Sequence, residues 1–141
     1  MKYEFDKVPC YYLKLRWAEQ ISRRFYNERM EGCGITGRQF TLLSFIAAKE
    51  GCSLKELADL IMLERSTVNR SVQPLLKYGL LEDKREAGQR NSSLHLTPKG
   101  EQTLKDATIA WDKAQHDFES LFTKKELERL NKSLDILNRL E

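Results

Sequence analysis

Two short amphipathic helices in tandem, followed by a strand-loop-strand segment, constrain the fold of this 141-residue chain more than any other feature. Ser53 is followed three residues later by Glu56, a capping box that opens a short helix. A break at 62–64 leads into a second helix, which we expect to run from Arg65 to Gly79. Two helices joined by so tight a turn are typical of a helix-turn-helix.

The residues after this pair predict a hairpin. Segments 80–82 and 93–96 are expected to be short strands, and the polar segment 83–92 between them is expected to be their loop. Thr97 and Pro98 then suit the N-cap and first position of another helix. The predicted fold class is therefore mostly α (α+β), a winged helix-turn-helix with a helical lobe made by the two ends of the chain.

Both ends of the chain predict long amphipathic helices. Pro9 suits the first position of one, which ends at the glycines near 32–34. Thr36 and Thr123 are expected to cap two more helices. Apolar residues recur at helical spacing, and in the last third they alternate steps of three and four as in a heptad seam. These stripes are Leu13, Trp17, Ile21 and Phe25; Leu104, Ala107, Trp111, Ala114, Phe118 and Leu121; and Leu127, Leu130, Leu134 and Leu137.

The chain is expected to be one domain with two lobes. Proline and glycine are scarce, at three and seven residues, so no flexible linker is predicted. Residues 36–97 would form the winged helix-turn-helix lobe, and residues 1–35 with 98–141 would form the helical one. A lobe of about sixty residues cannot cover all the apolar stripes, so a second copy of the chain is the simplest partner. We therefore expect the helical lobe to be a dimerisation lobe.

The net charge of +3 is concentrated in the middle of the chain. Residues 36–100 carry ten Lys and Arg against seven acidic residues, while the two flanks together are neutral. Between Arg65 and Tyr78 there are three basic residues and no acidic one. This local basic surface indicates a phosphate-bearing partner.

The helix that begins at Arg65 separates its residues by face, with Val68 and Val72 among the apolar ones. Its polar face carries the side-chain types that read a DNA major groove. Arg can bond guanine, Asn and Gln can bond adenine, and Ser or Thr can meet a base or a phosphate. The alternative is an ordinary solvated helix face. The DNA contacts predicted on this helix are Arg65, Ser66, Thr67, Asn69, Arg70 and Gln73.

The loop between the predicted strands carries Lys84, Arg85 and Arg90, which would make a basic wing. A wing places an arginine in the narrow minor groove, where the negative potential is strongest. Asp83 and Glu86 dilute this patch, and the loop taken alone could be a solvated turn. Its position after the predicted recognition helix favours the wing.

The residues from Glu64 to Arg70 read ERSTVNR and resemble D-R-S-T-V-T-R, the recognition helix of the MarR family of winged helix-turn-helix regulators. Segment 80–82, Arg90 and segment 96–100 are similar to the family pattern G-L-[VIL]-x, R and L-T-x-x-G. The resemblance covers about residues 35–100, and the flanking helices agree in layout. It implies a homodimeric transcription factor, usually a repressor. The contacts it implies are Ser66, Thr67, Asn69 and Arg70 in the major groove and Arg90 in the minor groove.

Three positions depart from the family pattern. Gly88 stands where an Asp usually precedes the wing arginine by two residues, so a brace for Arg90 is missing. Glu64 replaces the usual Asp and is a poorer helix cap. Pro74 lies inside the recognition helix and is expected to kink it beyond Arg70.

The resemblance also implies a sensed signal, either a small aromatic ligand bound between the lobes or an oxidant acting on a cysteine. Tyr12, Arg16, Trp17 and Phe25 are the candidate pocket residues, although an aromatic stripe at this spacing is more often core.

Cys10 is the candidate redox sensor. It follows Pro9 at a helix N-terminus, where the dipole stabilises a thiolate, and peroxide-sensing members of the family, the OhrR type, carry a reactive cysteine near the start of the first helix. The alternative is a buried small hydrophobe. Cys33 and Cys52 look incidental.

Catalysis, metal binding and membrane insertion are not expected. The two histidines are His95 and His116, and the sequence lacks a Gly-rich phosphate loop and the motifs G-x-S-x-G and H-E-x-x-H. Asp112 and Asp117 lie near His116 without a third metal ligand in reach, so no metal or other cofactor is expected. No secretory or transmembrane segment is evident, which predicts a cytoplasmic protein.

The sequence therefore predicts a sequence-specific DNA-binding transcriptional regulator. We expect a homodimeric repressor on a pseudo-palindromic operator in double-stranded DNA, released by a small ligand or an oxidant. The alternative is a winged-helix module that binds proteins and not DNA. An enzyme is a more distant third.

Overall fold

The computed structural model describes residues 3–141. Within that range the chain forms six α-helices and a two-stranded antiparallel sheet. In chain order these are α1 (Tyr11–Met30), α2 (Gly37–Ala48), α3 (Leu54–Ile61), α4 (Arg65–Lys77), β1 (Leu81–Asp83), β2 (Leu94–Leu96), α5 (Pro98–Glu119) and α6 (Lys124–Ile136). This is the mostly α winged helix-turn-helix predicted from the sequence.

The predicted helix caps are confirmed. At each of four helix starts a hydroxyl oxygen accepts a hydrogen bond from the amide of the third helical residue, at 3.0–3.3 Å. The capping residues are Thr36, Ser53, Thr97 and Thr123. Each satisfies a backbone donor that the helix itself leaves free, which is worth about 1 kcal/mol.

The start of α1 differs from the prediction. Pro9 was expected to be the first helical residue, but the helix begins at Tyr11 and Cys10 is its extended N-cap. The reason is that the Cys10 carbonyl accepts the first helical hydrogen bond, from the amide of Lys14 at 3.1 Å. Pro9 therefore precedes the helix, and Cys10 lies at its N-terminus.

The hairpin strands begin one residue later than predicted. In the observed register Leu81 pairs with Leu96 and Asp83 with Leu94. Leu80 is instead held in the turn that leaves α4, because its amide donates to the carbonyl of Leu75 at 2.8 Å. Asp83 thus lies at the end of a strand and not in the loop.

Cys52 has a structural role that the sequence did not indicate. Leu94 accepts a hydrogen bond from the amide of Gly51 at 2.8 Å and donates one to the carbonyl of Cys52 at 2.9 Å. This bridge joins the turn between α2 and α3 to the edge of the hairpin. Cys52 is also 3% exposed and belongs to the core, where burial raises the pKa of its thiol. It is therefore not incidental.

The hydrophobic core lies mainly among the helices of the central lobe and extends to α1 and α5. The two ends of the chain join it through a stack of aromatic rings. Trp111 on α5 stacks on Tyr26 of α1, with ring centroids 4.7 Å apart, and on Phe40 of α2, at 4.6 Å. Nearby, Asn27 on α1 accepts a hydrogen bond from the Gly37 amide at 2.8 Å. These contacts fix α2 against both terminal helices.

The outer face of the terminal helices is apolar and open. A groove of about 640 Å³ runs between α1, the end of α5 and α6. Its walls include Leu15, Ile21, Leu121 and Leu134, each at least 40% exposed. No helix within residues 3–141 combines the length and the apolar character that crossing a membrane would require.

Candidate nucleic-acid interface

Helix α4 begins directly after a tight turn from α3. Met62 ends α3 in the left-handed conformation, with φ +54°, and the Leu63 amide donates to the carbonyl of Ala58 at 3.1 Å. Glu64 is the N-cap of α4 and its side chain makes no capping hydrogen bond. The Glu64 carbonyl accepts instead, from the amides of Thr67 at 3.0 Å and Val68 at 3.1 Å. The N-terminus of α4 therefore has no acidic side-chain cap, and its dipole favours anions.

The two faces of α4 are separated as predicted. Val68, Val72 and Leu75 are at most 1% exposed and anchor the helix in the core. The polar residues lie on the other side. Arg65, Ser66, Arg70 and Gln73 are exposed, and Thr67 and Asn69 are half-buried.

Hydrogen bonds between neighbouring turns organise this polar face. Arg70 Nη2 donates to Thr67 Oγ1 at 3.3 Å, and Gln73 Nε2 donates to Asn69 Oδ1 at 2.9 Å. Each bond uses part of a side chain's capacity and leaves other N–H groups of Arg70 and Gln73 for a ligand. The face therefore presents partly ordered donors without an acidic residue among them.

Pro74 does not end α4. The helix continues through it to Lys77. Because proline has no amide hydrogen, the Arg70 carbonyl receives no helical bond from residue 74. The kink expected beyond Arg70 stays a prediction.

The wing, defined here as residues 83–93, is closed at its base by Asp83. Oδ1 of Asp83 accepts hydrogen bonds from the amides of Arg85 at 3.1 Å and Ser93 at 2.9 Å. Oδ2 forms an ion pair with Arg85 Nε at 3.1 Å. Burial by itself raises the pKa of Asp83, but the two amide bonds and the Arg85 charge outweigh it, and the pKa is lowered.

The tip of the wing is a closed turn. The Gln89 amide donates to the Glu86 carbonyl, and the Gln89 side chain accepts from the Glu86 amide, both at 3.0 Å. Gly88 has φ +86°, a conformation that glycine adopts without steric cost. Glycine at position 88 therefore fits the turn, whereas an Asp there would carry a Cβ in the left-handed region.

The basic residues of the wing differ in how they are engaged. Lys84 forms an ion pair with Glu82 at 3.5 Å, and Arg85 contacts Asp83 and the carbonyl of Arg90. Within residues 3–141 the guanidinium of Arg90 has no hydrogen-bond or ion-pair partner, and the residue is exposed. Of the three predicted wing contacts, Arg90 is thus the one left entirely for a ligand.

The wing is also fixed to the helix-turn-helix. Ser92 is 8% exposed, and its hydroxyl oxygen accepts a hydrogen bond from the first amide of α3, that of Leu54, at 2.9 Å. This bond, with the bridge between Cys52 and Leu94, sets the wing relative to α3. Sequence reasoning missed Ser92 and treated Asp83 only as a diluting charge. The sequence did contain a signal for Asp83. An Asp at the end of a strand often accepts a hydrogen bond from the backbone amide two residues later.

The four candidate pocket residues do not line one cavity. Phe25 lines the open apolar groove. Trp17 packs against Phe5, with centroids 5.5 Å apart. Tyr12 and Arg16 are exposed. A ligand role for this set stays a prediction.

Cys10 is exposed in the single chain, and its role as a redox sensor stays a prediction. His95 Nδ1 lies 2.8 Å from Glu50 Oε2, which ties strand β2 to the turn after α2. Within residues 3–141, no three His, Cys, Asp or Glu side chains are grouped closely enough to hold a metal ion.

Comparison with known proteins agrees with this geometry. Residues 34–90 match the MarR family. The HTH-type transcriptional regulator BilQ of Clostridium symbiosum (strain WAL-14163) is 34% identical over 84 residues, which are 59% of this chain and 58% of that protein. The match therefore spans less than two thirds of the relative's length.

Solved structures match over almost the whole chain. The transcriptional regulator MosR of M. tuberculosis superposes with a TM-score of 0.75 at 25% identity, covering 98% of this chain and 100% of MosR. MepR of S. aureus, solved as a DNA complex, gives a TM-score of 0.80 at 18% identity and covers 95% of this chain and 100% of MepR. The second likeness concerns the fold alone.

Proposed function

We propose that this chain is a MarR-family winged helix-turn-helix protein that acts as a homodimeric, sequence-specific DNA-binding regulator of transcription, which the family match and the likeness to MosR support. Helix α4 would lie in a major groove and the wing in the adjacent minor groove. The two copies would read the half-sites of a pseudo-palindrome about one helical turn apart.

The observation that carries this proposal is the outer face of α4. Arg65 and Arg70 project from it beside amide and hydroxyl side chains, and no acidic residue occurs from Arg65 to Tyr78. On the opposite face Val68, Val72 and Leu75 are buried, so the helix is held by its core side while its polar side is presented outward. In this proposal cationic contacts to phosphate supply affinity, and Ser66, Thr67, Asn69, Arg70 and Gln73 supply sequence preference.

The proposed dimer rests on the open apolar groove between α1, α5 and α6. Leu121 is 67% exposed and Leu134 is 51% exposed, and a second copy would remove this apolar surface from water. Residues 1–35 with 98–141 would then be the dimerisation lobe, and residues 36–97 the DNA-binding lobe of the same domain.

Repression and release by a small ligand or an oxidant belong to the same proposal, as does a cytoplasmic location. The observation that supports release is Cys10, which is exposed at the N-terminus of α1. The test for the oxidant is DNA binding before and after hydrogen peroxide, with the Cys10→Ser variant as the control.

The test of DNA binding is selection of duplexes from a random pool by the wild-type protein, followed by a salt titration. We expect a pseudo-palindromic consensus. Affinity should fall on the order of 10³-fold or more between 50 and 200 mM salt, because released counterions drive the binding. A protein that enriches no duplex at low salt would instead be the protein-binding module.

A further inference from the structure

We infer that Asp83 and Arg85 form an internal brace that positions the wing for Arg90, and that Arg85 is a positioning residue and not a contact to DNA. This inference rests on the proposed DNA-binding function and changes its set of contacts. From the sequence, Arg85 is a predicted DNA contact and Asp83 only an unfavourable charge.

The first step concerns what Asp83 holds. Its Oδ1 atom accepts from one amide on each arm of the wing, Arg85 on the outgoing arm and Ser93 on the returning arm. The carboxylate therefore closes the base of the loop. Its side chain is 20% exposed, compared with 47% for Arg85, so it lies beneath the wing surface.

The second step concerns where the Arg85 guanidinium goes. Nε forms the ion pair with Asp83 Oδ2 at 3.1 Å, and Nη1 reaches across the wing to the carbonyl of Arg90 at 3.5 Å. The carboxylate thus orients a guanidinium that in turn contacts the backbone of the residue proposed to enter the minor groove. These contacts use two of the five N–H donors and hold the guanidinium along the wing, so Arg85 could not swing out to a phosphate without breaking them.

The third step concerns what else could hold Arg90. The position two residues earlier is Gly88, which has no side chain, and the tip is closed by Glu86 and Gln89 alone. Within residues 3–141 the bond from Arg85 is the one side-chain hydrogen bond to Arg90. The tip of the wing thus has no side chain at position 88 that could orient Arg90. The brace takes this role from the base of the loop.

Asp83→Asn tests the brace because the brace and the charge alone predict opposite changes in DNA affinity. The asparagine Oδ1 can still accept both amides, while its NH₂ group faces Arg85 Nε and cannot accept. Charge alone predicts tighter DNA binding, because a negative group is removed near phosphate. The brace predicts weaker binding, by roughly tenfold, because Arg90 is no longer positioned.

Glu86→Gln is the matched control. It removes the same charge from the same wing, and its carboxylate has no hydrogen-bond or ion-pair partner within residues 3–141. We expect it to bind the duplex selected by the wild-type protein as tightly as wild type or more tightly. Equal affinities for Asp83→Asn and Glu86→Gln would overturn the brace.

A double variant tests whether Asp83 acts through Arg90. Asp83→Asn should weaken binding in the wild-type background and have less than about a twofold effect in the Arg90→Ala background. An equal loss in both backgrounds would overturn the inference, because it would mean an independent contribution.

A measurement without DNA separates this inference from the proposed function. Amide hydrogen exchange over residues 84–92 should be faster in Asp83→Asn than in Glu86→Gln. Equal exchange would overturn the brace. If the wild-type protein selected no duplex, the proposed function would fail, and this measurement would still decide whether the brace exists.

Discussion

At the scale of single residues, Met62 has a backbone conformation that is unfavourable for a residue with a side chain. It is the one non-glycine residue among 3–141 with a positive φ, and it sits in the turn between α3 and α4. A left-handed conformation costs a residue with a Cβ about 1–2 kcal/mol. The left-handed turn lets the Leu63 amide donate to the Ala58 carbonyl at 3.1 Å, which closes the end of α3.

Met62→Gly should therefore stabilise the protein. The side chain is 75% exposed, so little buried surface is lost, and glycine adopts φ +54° without strain. The greater entropy of glycine in the unfolded chain offsets part of this relief. We therefore expect the free energy of unfolding to rise by about 0.5–1 kcal/mol. Urea denaturation measures it against Met62→Ala, which removes the side chain but keeps the Cβ. A Gly variant no more stable than the Ala variant would contradict this.

Arg70 is the residue with the clearest predicted base contact. It is exposed, and only one of its donors is used, toward Thr67. Arg70→Ala should relax specificity at one base pair and cost about 1–3 kcal/mol there. Repeating the duplex selection with this variant measures the change, and Arg24→Ala, an exposed cation on α1, is the control. Identical consensus sequences from both variants would show that Arg70 does not read a base.

At the scale of elements, the start of α5 shows how tightly the helices and the wing are joined. A Cβ on Gly100 would lie 2.0 Å from the carbonyl oxygen of Leu80 and 2.9 Å from its carbon. The helix can approach the chain between α4 and β1 only because residue 100 has no side chain. This contact fixes α5 beside the wing.

Gly100→Ala should consequently be strongly destabilising. The clash is with backbone, which cannot move aside as a flexible side chain can, and we expect a loss of about 3 kcal/mol or more. Gly32→Ala is the control, because a Cβ at that position meets nothing within 4 Å. Thermal denaturation followed by circular dichroism compares the two. Similar melting temperatures would mean that the close approach is absent in solution.

The helices were largely predictable because their signals are local. A hydroxyl at the N-cap and a partner three residues later, as in Ser53 and Glu56, satisfy each other within one turn. The wing was less predictable. Whether Asp83 repels DNA or holds the loop depends on Ser93, ten residues later, and no periodic pattern records a hydrogen bond across a loop.

At the scale of the whole molecule, the terminal helices carry apolar residues that the single chain leaves exposed to solvent. None of the residues of α6 is buried in the single chain, although leucines recur along it at heptad spacing. Burial of such a stripe is what stabilises a helix of this kind. The proposed dimer supplies it.

Leu134→Glu should therefore weaken self-association. Dimerisation would then bury an unpaired carboxylate in the apolar groove, which is unfavourable. We expect the dimer to be at least tenfold weaker. Leu60→Glu is the control, since Leu60 is also 51% exposed but lies on α3. Sedimentation equilibrium should give twice the 16.5 kDa chain mass for wild type and for the control. A wild-type monomer, or a Leu134→Glu dimer of unchanged strength, would contradict the proposed interface.

The sequence by itself determined the order of the elements, their caps, the buried and polar faces of α4 and the resemblance to the MarR family. Each depends on residues within a few positions of one another, or on one contiguous motif. The tertiary structure decided that Cys52 is core, that Cys10 is exposed at the start of α1, that the aromatic candidates do not share a cavity, and that Asp83 engages Arg85 and leaves Arg90 free. The physical reason is that burial and ion pairing depend on which distant segments the fold brings together, and the local sequence does not contain those distances.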